Sequence, residues 1–177
     1  MNYITLILSA ISLCQILPAS AYDTKKISKR SNSIDWETCN DNAPVKIQSL
    51  SITPYPIPLR GTVTISASAE VECAIEGPIH VNIKIYKKFV AWIPVKTIVI
   101  NDLCEKFPSK CSETPKENEL PCKCPIEANS YRIPPVEFQM PELPAADFLV
   151  KGDYSATIKG SECGTEVFCY NVYFSLG

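Results

Sequence analysis

The chain has 177 residues, 17 of them basic and 19 acidic, for a net charge of −2 with its single histidine neutral. Four of those bases and one of the acids fall in residues 22–30, so residues 31–177 keep 13 bases and 18 acids, a net of −5. An acidic body of that kind excludes nucleic acid as the natural partner.

Residues 3–17, YITLILSAISLCQIL, form an apolar run followed by Pro18 and the small-x-small pattern Ala19-Ser20-Ala21. The run has the length of a signal-peptide core and falls short of the roughly 20 residues that cross a bilayer, so residues 1–21 read as a cleaved signal peptide rather than a retained anchor. Residues 22–30, YDTKKISKR, end in the dibasic pair Lys29-Arg30 and fit either a short propeptide or a basic tail. Residues 31–177 then form one domain, long enough to bury a core of its own.

Within that domain the first strand pattern is 45–52, VKIQSLSI, whose apolar parity slips between Ile47 and Leu50 and predicts a bulge. Residues 61–73 alternate with Val63, Ile65, Ala67, Ala69 and Val71 on one face, and residues 79–86 with Ile79, Val81, Ile83 and Ile85. Each is a strand with one wet face, as in an antiparallel sheet, and Gly77-Pro78 marks the turn between them. Further strands fit 90–100, 130–140, 152–160 and 166–175, the last with Phe168, Tyr170, Val172 and Phe174 sharing a face. Fifteen prolines and no clear 3.6-residue period discourage helices. The pattern predicts an all-β, disulfide-rich, two-sheet antiparallel sandwich, with 101–121 as one long polar insert.

Of the nine cysteines, Cys14 lies in the signal peptide and eight remain, an even set that reads as disulfides in an oxidising compartment. Eight cysteines allow roughly a hundred pairings. Cys122 and Cys124 flank one lysine and project to the same face, so two separate partners suit them better than each other. Zinc would want four ligands and a redox site a C-x-x-C; with one histidine and no such motif, no metal and no cofactor are expected. His80 alternates outward, and Glu70 with Glu72 reads as a wet strand face, so no catalytic residue is assigned.

With these pieces in place the sequence resembles the ML lipid-recognition domain family, and within it the ganglioside-activator type. The resemblance is carried by SIDWETCND at 33–41, VKIQSLSITPYPI at 45–57, GTVTISASA at 61–69 and VNIKIYKKFVAWIPV at 81–95. It continues through LPCKCPIEANSYRIP at 120–134, LPAADFLVKGDYSATI at 143–158 and CYNVYFSLG at 169–177. It implies an immunoglobulin-like sandwich whose sheets splay around an internal lipid cavity, in a non-enzymatic protein of the extracellular space or lysosomal lumen. It also implies the pairs Cys39–Cys169, Cys104–Cys124 and Cys111–Cys122. Cys73 and Cys163 are left over, and a fourth bridge between them is expected because both fall in links at one end of such a sandwich.

The chain departs from the activator pattern at Val95, where a cysteine is expected, and at Asp147-Phe148-Leu149, which replaces a tryptophan-bearing loop. Phe148 and Leu149 suit contact with a membrane surface; Phe89, Val90, Trp92, Phe138 and Met140 suit a cavity wall or rim, or else ordinary core. Lys87 and Lys88 read as a solvated turn, with anionic headgroups as the alternative. The expected ligand is a lipid (a glycolipid, phospholipid or sterol), met transiently at a membrane and handed to a lipid hydrolase or a receptor. The rival expectations are a lipid-presenting recognition protein or secreted effector, and an immunoglobulin-like adhesion module without lipid.

Overall fold

The structure is a computed structural model that describes residues 33–107, 123–140 and 150–177. All of them belong to one compact unit, Ser31–Gly177. The signal-peptide and propeptide readings, Cys111, Cys122, Phe148 and Leu149 lie outside the described residues.

Eight strands follow in order: β1 (Asp35–Thr38), β2 (Val45–Thr53), β3 (Thr62–Val71), β4 (Ile79–Lys88), β5 (Trp92–Ile100), β6 (Asn129–Gln139), β7 (Gly152–Glu162) and β8 (Thr165–Leu176). They form two antiparallel sheets, five strands in the order β1-β8-β7-β4-β5 and three in the order β2-β3-β6. This is the two-sheet sandwich that the alternating runs predict. The parity slip in β2 is a bulge, because its register against β3 shifts between Ile47 and Ser49. Strand β1 was not legible: four residues, DWET, are too few to display a period, and its pairing of Trp36 with Val172 depends on β8 from the far end of the chain.

Two clusters fill the space between the sheets. At one end Val71, Ile75, Ile79, Val81 and Val167 are buried together, with the Cys104–Cys124 disulfide packed against them. Gly77 makes that packing possible: its φ is +86°, and a Cβ there would stand 2.7 Å from Cys104 Sγ. Asp102 pins the same link by accepting hydrogen bonds from the Ile79 and Cys104 backbone N–H groups at 3.2 and 2.9 Å. Burial of such apolar side chains, at about 25 cal/mol per Å², is what holds this end shut.

The second cluster, Ile34, Tyr170 and Val172 with Trp36, Ile47 and Leu50 against them, closes the side where β8 faces β2. Here the Tyr170 hydroxyl donates to the Val45 carbonyl at 2.9 Å and accepts from the Ile47 N–H at 2.8 Å. Both groups precede the bulge on β2, an edge strand of its sheet, so one phenol satisfies backbone that has no neighbouring strand on that side. Burial raises the Tyr170 pKa above the usual tyrosine value, which keeps the donating proton in place.

Two expected disulfides are present, Cys39–Cys169 and Cys104–Cys124. The expected Cys73–Cys163 pair is not formed: Cys163 is free and exposed, and Cys73 is disulfide-bonded elsewhere. The reason is local. Glu162 pairs with Thr165, so Cys163 and Gly164 are the two central residues of a tight β7–β8 hairpin, both at positive φ. That geometry turns the Cys163 side chain out to solvent, at the tip of the larger sheet, whereas Cys73 follows β3 of the smaller one.

A candidate cleft between the edge strands

Strand alternation and pairing state which side chains point between the sheets. On β3 these are Val63, Ile65, Ala67, Ala69 and Val71, and their partners across the β3–β6 ladder include Phe138, Val136, Ile133 and Tyr131. On β4 they are Ile79, Val81, Ile83, Ile85 and Lys87, and the paired positions on β5 include Ile100, Ile98 and Ile93.

An inward side chain in a sealed sandwich is buried. Here burial fades along the edge strands. Phe138 and Val136 remain 52% and 51% exposed, and Ile93 and Ile98 47% and 38%, although Val63 and Lys87, the partners of Phe138 and Ile93, are buried. β5 and β6 are the free edges of their sheets on the side opposite the Tyr170 clamp. Between the sheets the most extensive backbone approach is that of β2 and β8. Among the described residues the sandwich is therefore shut along β2 and β8, floored by the Val71–Ile79 cluster, and open along β5 and β6 with an apolar lining.

The mouth lies where β4 turns into β5. Lys88 pairs with Trp92, and Phe89, Val90 and Ala91 form the tip, its turn closed by Phe89 N–H to the Ala91 carbonyl at 3.0 Å. Val90 is wholly exposed and Phe89 mostly so. Beneath them Tyr154 stacks on Phe174, ring centroids 5.5 Å apart, and Lys87 is inserted with its ammonium 5.2 Å from the Phe89 ring and 5.4 Å from that of Tyr154. Lys87 is only 6% exposed. It does not sit in a solvated turn, because its parity with Ile85 carries it inward while Lys88 turns out.

Of the residues expected at a site, Phe89, Val90 and Phe138 gather around this opening. Met140 follows β6, half-buried, its N–H bonded to the Gly61 carbonyl at 2.8 Å. Trp92 does not join them. Paired with Lys88, it lies on the outer face, with its ring 6.4 Å from that of Tyr173 and the Lys88 ammonium over it. Tyr173 belongs to the outer face too, its hydroxyl donating to Glu37 at 2.7 Å. Burial, then the hydrogen bond to the Glu37 carboxylate and its charge, push the Tyr173 pKa up to about 12.

Sequence reasoning missed Ile93, Ile98 and Val136. A signal existed: β5, WIPVKTIVI, is apolar at nearly every position, which fits neither a buried core strand flanked by turns nor a half-wet one. His80 is exposed on the outer face opposite Ser161. Among the described residues no group of three His, Cys, Asp or Glu side chains could hold a metal ion.

Fold and cleft together define a β-sandwich built to be open along one side. The family model of the ML domain matches residues 33–176, and the chain belongs to that family. It is 27% identical to the ganglioside GM2 activator of Macaca fascicularis, over 96% of this chain and 94% of that protein. To the ganglioside GM2 activator of Mus musculus it is 25% identical, over 91% and 92% respectively. Among solved structures, a Niemann-Pick type C2 protein from the Japanese carpenter ant superposes with a TM-score of 0.46 at 13% identity, covering 81% of this chain and 99% of that one.

Proposed function

We propose that this chain is a non-enzymatic lipid-binding protein that lodges acyl or other apolar tails between its two sheets. The observation that carries the reading is the half-exposed state of Phe138, Val136, Ile93 and Ile98, which the strand register turns inward. A sealed adhesion sandwich would bury them. Each methylene taken out of water is worth about 0.8 kcal/mol, but a lipid that leaves a bilayer gains nothing from that term. Fit within the cleft and contact at its mouth must supply the affinity.

The likeness to the ganglioside GM2 activators of macaque and mouse supports lipid binding, and the role proposed is to extract, carry or present lipid, with a lipid hydrolase or a receptor as recipient. In that scheme Phe89 and Val90, with Phe148 and Leu149, touch the membrane while lipid is loaded. Residues 1–21 act as the signal peptide, residues 31–177 as the lipid-binding domain in the extracellular space or lysosomal lumen, and Cys111–Cys122 as a further bridge.

Native mass spectrometry of the secreted, oxidised protein tests the proposal, with identification of the lipid in an organic extract. A near-stoichiometric one- or two-chain lipid supports it. A protein that stays empty after incubation with phospholipid, glycolipid and sterol vesicles refutes it.

A further inference from the structure

The inward positions of the described strands carry two cations and one carboxylate, and the carboxylate, Glu162, lies at the floor, paired with Ile79 and accepting a hydrogen bond from the Gly77 N–H at 2.5 Å. β2 presents Val45, Ile47, Leu50 and Ile52 inward, and β7 presents Tyr154, Ala156, Ile158 and Gly160. β8 contributes Phe168, Tyr170, Val172 and Phe174, and the inward positions of β3 and β6 are likewise free of acid. Above Glu162 at the floor, the charged inward positions are Lys87 on β4 and Lys96, which pairs with the inward Ile85 from the edge strand β5. Every other lysine on these two strands, Lys84 and Lys88, has outward parity. An acidic protein has thus placed two positive charges in the half of its cleft nearer the mouth and kept its inward carboxylate at the floor.

Burying an ammonium is costly, and the cost is met only by groups that meet the charge. The Phe89 and Tyr154 rings supply part of it through cation–π attraction. Lys87 has at least one further interaction besides. Gly152 lies beside the stem at φ +130°, a conformation that side-chain-bearing residues rarely adopt. The result is a cation held at the depth where the apolar lining gives way to the exposed tip, and this is the level at which a headgroup would sit if tails fill the cleft.

We infer that the cleft selects lipids with an anionic headgroup, a phosphate, sulfate or carboxylate, through Lys87, with Lys96 adding charge at the rim. The inference rests on the lipid-binding reading above. In a low-dielectric mouth an ammonium is attracted to a headgroup of net negative charge, whereas the cation of a zwitterionic headgroup opposes the attraction to its own phosphate.

The test uses the oxidised protein and two probes with identical acyl chains, dioleoylphosphatidylglycerol and dioleoylphosphatidylcholine, offered together in equal amounts in mixed micelles. The lipid retained after re-isolation is quantified by mass spectrometry. The wild type is expected to retain the anionic lipid about tenfold over the zwitterionic one, the worth of one charge-assisted hydrogen bond. Lys87→Met brings the ratio close to one with phosphatidylcholine uptake unchanged, and Lys87→Arg keeps most of the preference. Lys88→Met, which alters a lysine of the outer face, leaves the ratio as it was. Good uptake of both lipids by the wild type at a ratio near one overturns headgroup selection while the cleft stands, and needs no variant to fold. A preference lost equally in Lys88→Met and Lys87→Met also overturns it, by assigning the effect to overall charge. Uptake of neither lipid overturns the cleft itself and this inference with it.

Discussion

Truncating Phe138 separates an open cleft from a sealed core, because its neighbour supplies the control. Phe138 and Val63 are directly paired across β3 and β6 and point the same way, yet Phe138 is half exposed and Val63 almost wholly buried. Val63→Ala removes two methyl groups from a filled site. The transfer loss is about 1.6 kcal/mol at 0.8 kcal/mol per group, and the void left behind brings the cost to about 2–3 kcal/mol. Phe138→Ala removes far more atoms, but half of the ring's burial was never made, and no new void opens beside an already open cleft. Its expected cost is about 1 kcal/mol. The smaller truncation should therefore destabilise more than the larger one. Urea unfolding of the oxidised protein, followed by tryptophan fluorescence and extrapolated linearly, measures both. A cost of about 3 kcal/mol or more for Phe138→Ala, the range for a buried phenylalanine, would refute the open cleft.

Three further outcomes are expected. Tyr170→Phe strands the Val45 carbonyl and Ile47 N–H on the edge strand β2 and should cost about 1–3 kcal/mol, a fall of roughly 3–8 °C in Tm by calorimetry. Gly77→Ala forces a left-handed residue to carry a Cβ against the Cys104 sulfur; a loss of at least about 1 kcal/mol in the same urea assay is expected, and an unchanged midpoint would contradict it. Tyr173 releases its proton near pH 12 when folded but near 10 when unfolded, so its contribution is complete below pH 10 and lost as pH rises from 10 to 12. Stability should fall across that window in the wild type and less steeply in Tyr173→Phe, measured by urea midpoints at successive pH values.

The alternation of β3, β4 and β8 was plain in the sequence because each has one dry and one wet face, and the β2 bulge showed as a break in that rhythm. The cleft was harder to read. Residues such as Phe138 and Val63 look alike in a sequence, since both are apolar and inward; what divides them is whether the opposite sheet reaches across, a property of two edge strands far apart in the chain. Trp92 and Lys87 exchanged their expected roles for a related reason. The register of β4 with β5 shifts between Ile85 and Tyr86, so parity counted forward from β5 alone puts Trp92 on the wrong face. Cys163 was misassigned because two cysteines at one end of a sandwich need not approach when one of them caps a hairpin.

If tails fill the cleft as proposed, the packed floor works as a depth stop. From Val81, buried in the floor, to Lys87 at the mouth β4 advances six residues, about 20 Å at 3.3 Å per residue. Ile79 and Ile75, with the Cys104–Cys124 bridge against them, leave no slack for a longer tail to push deeper. A short chain would leave part of the lining wet, and an overlong one would lift its headgroup past Lys87 into water. A cleft with a rigid end can thus discriminate by length as well as by charge, measuring its guest from the bottom up.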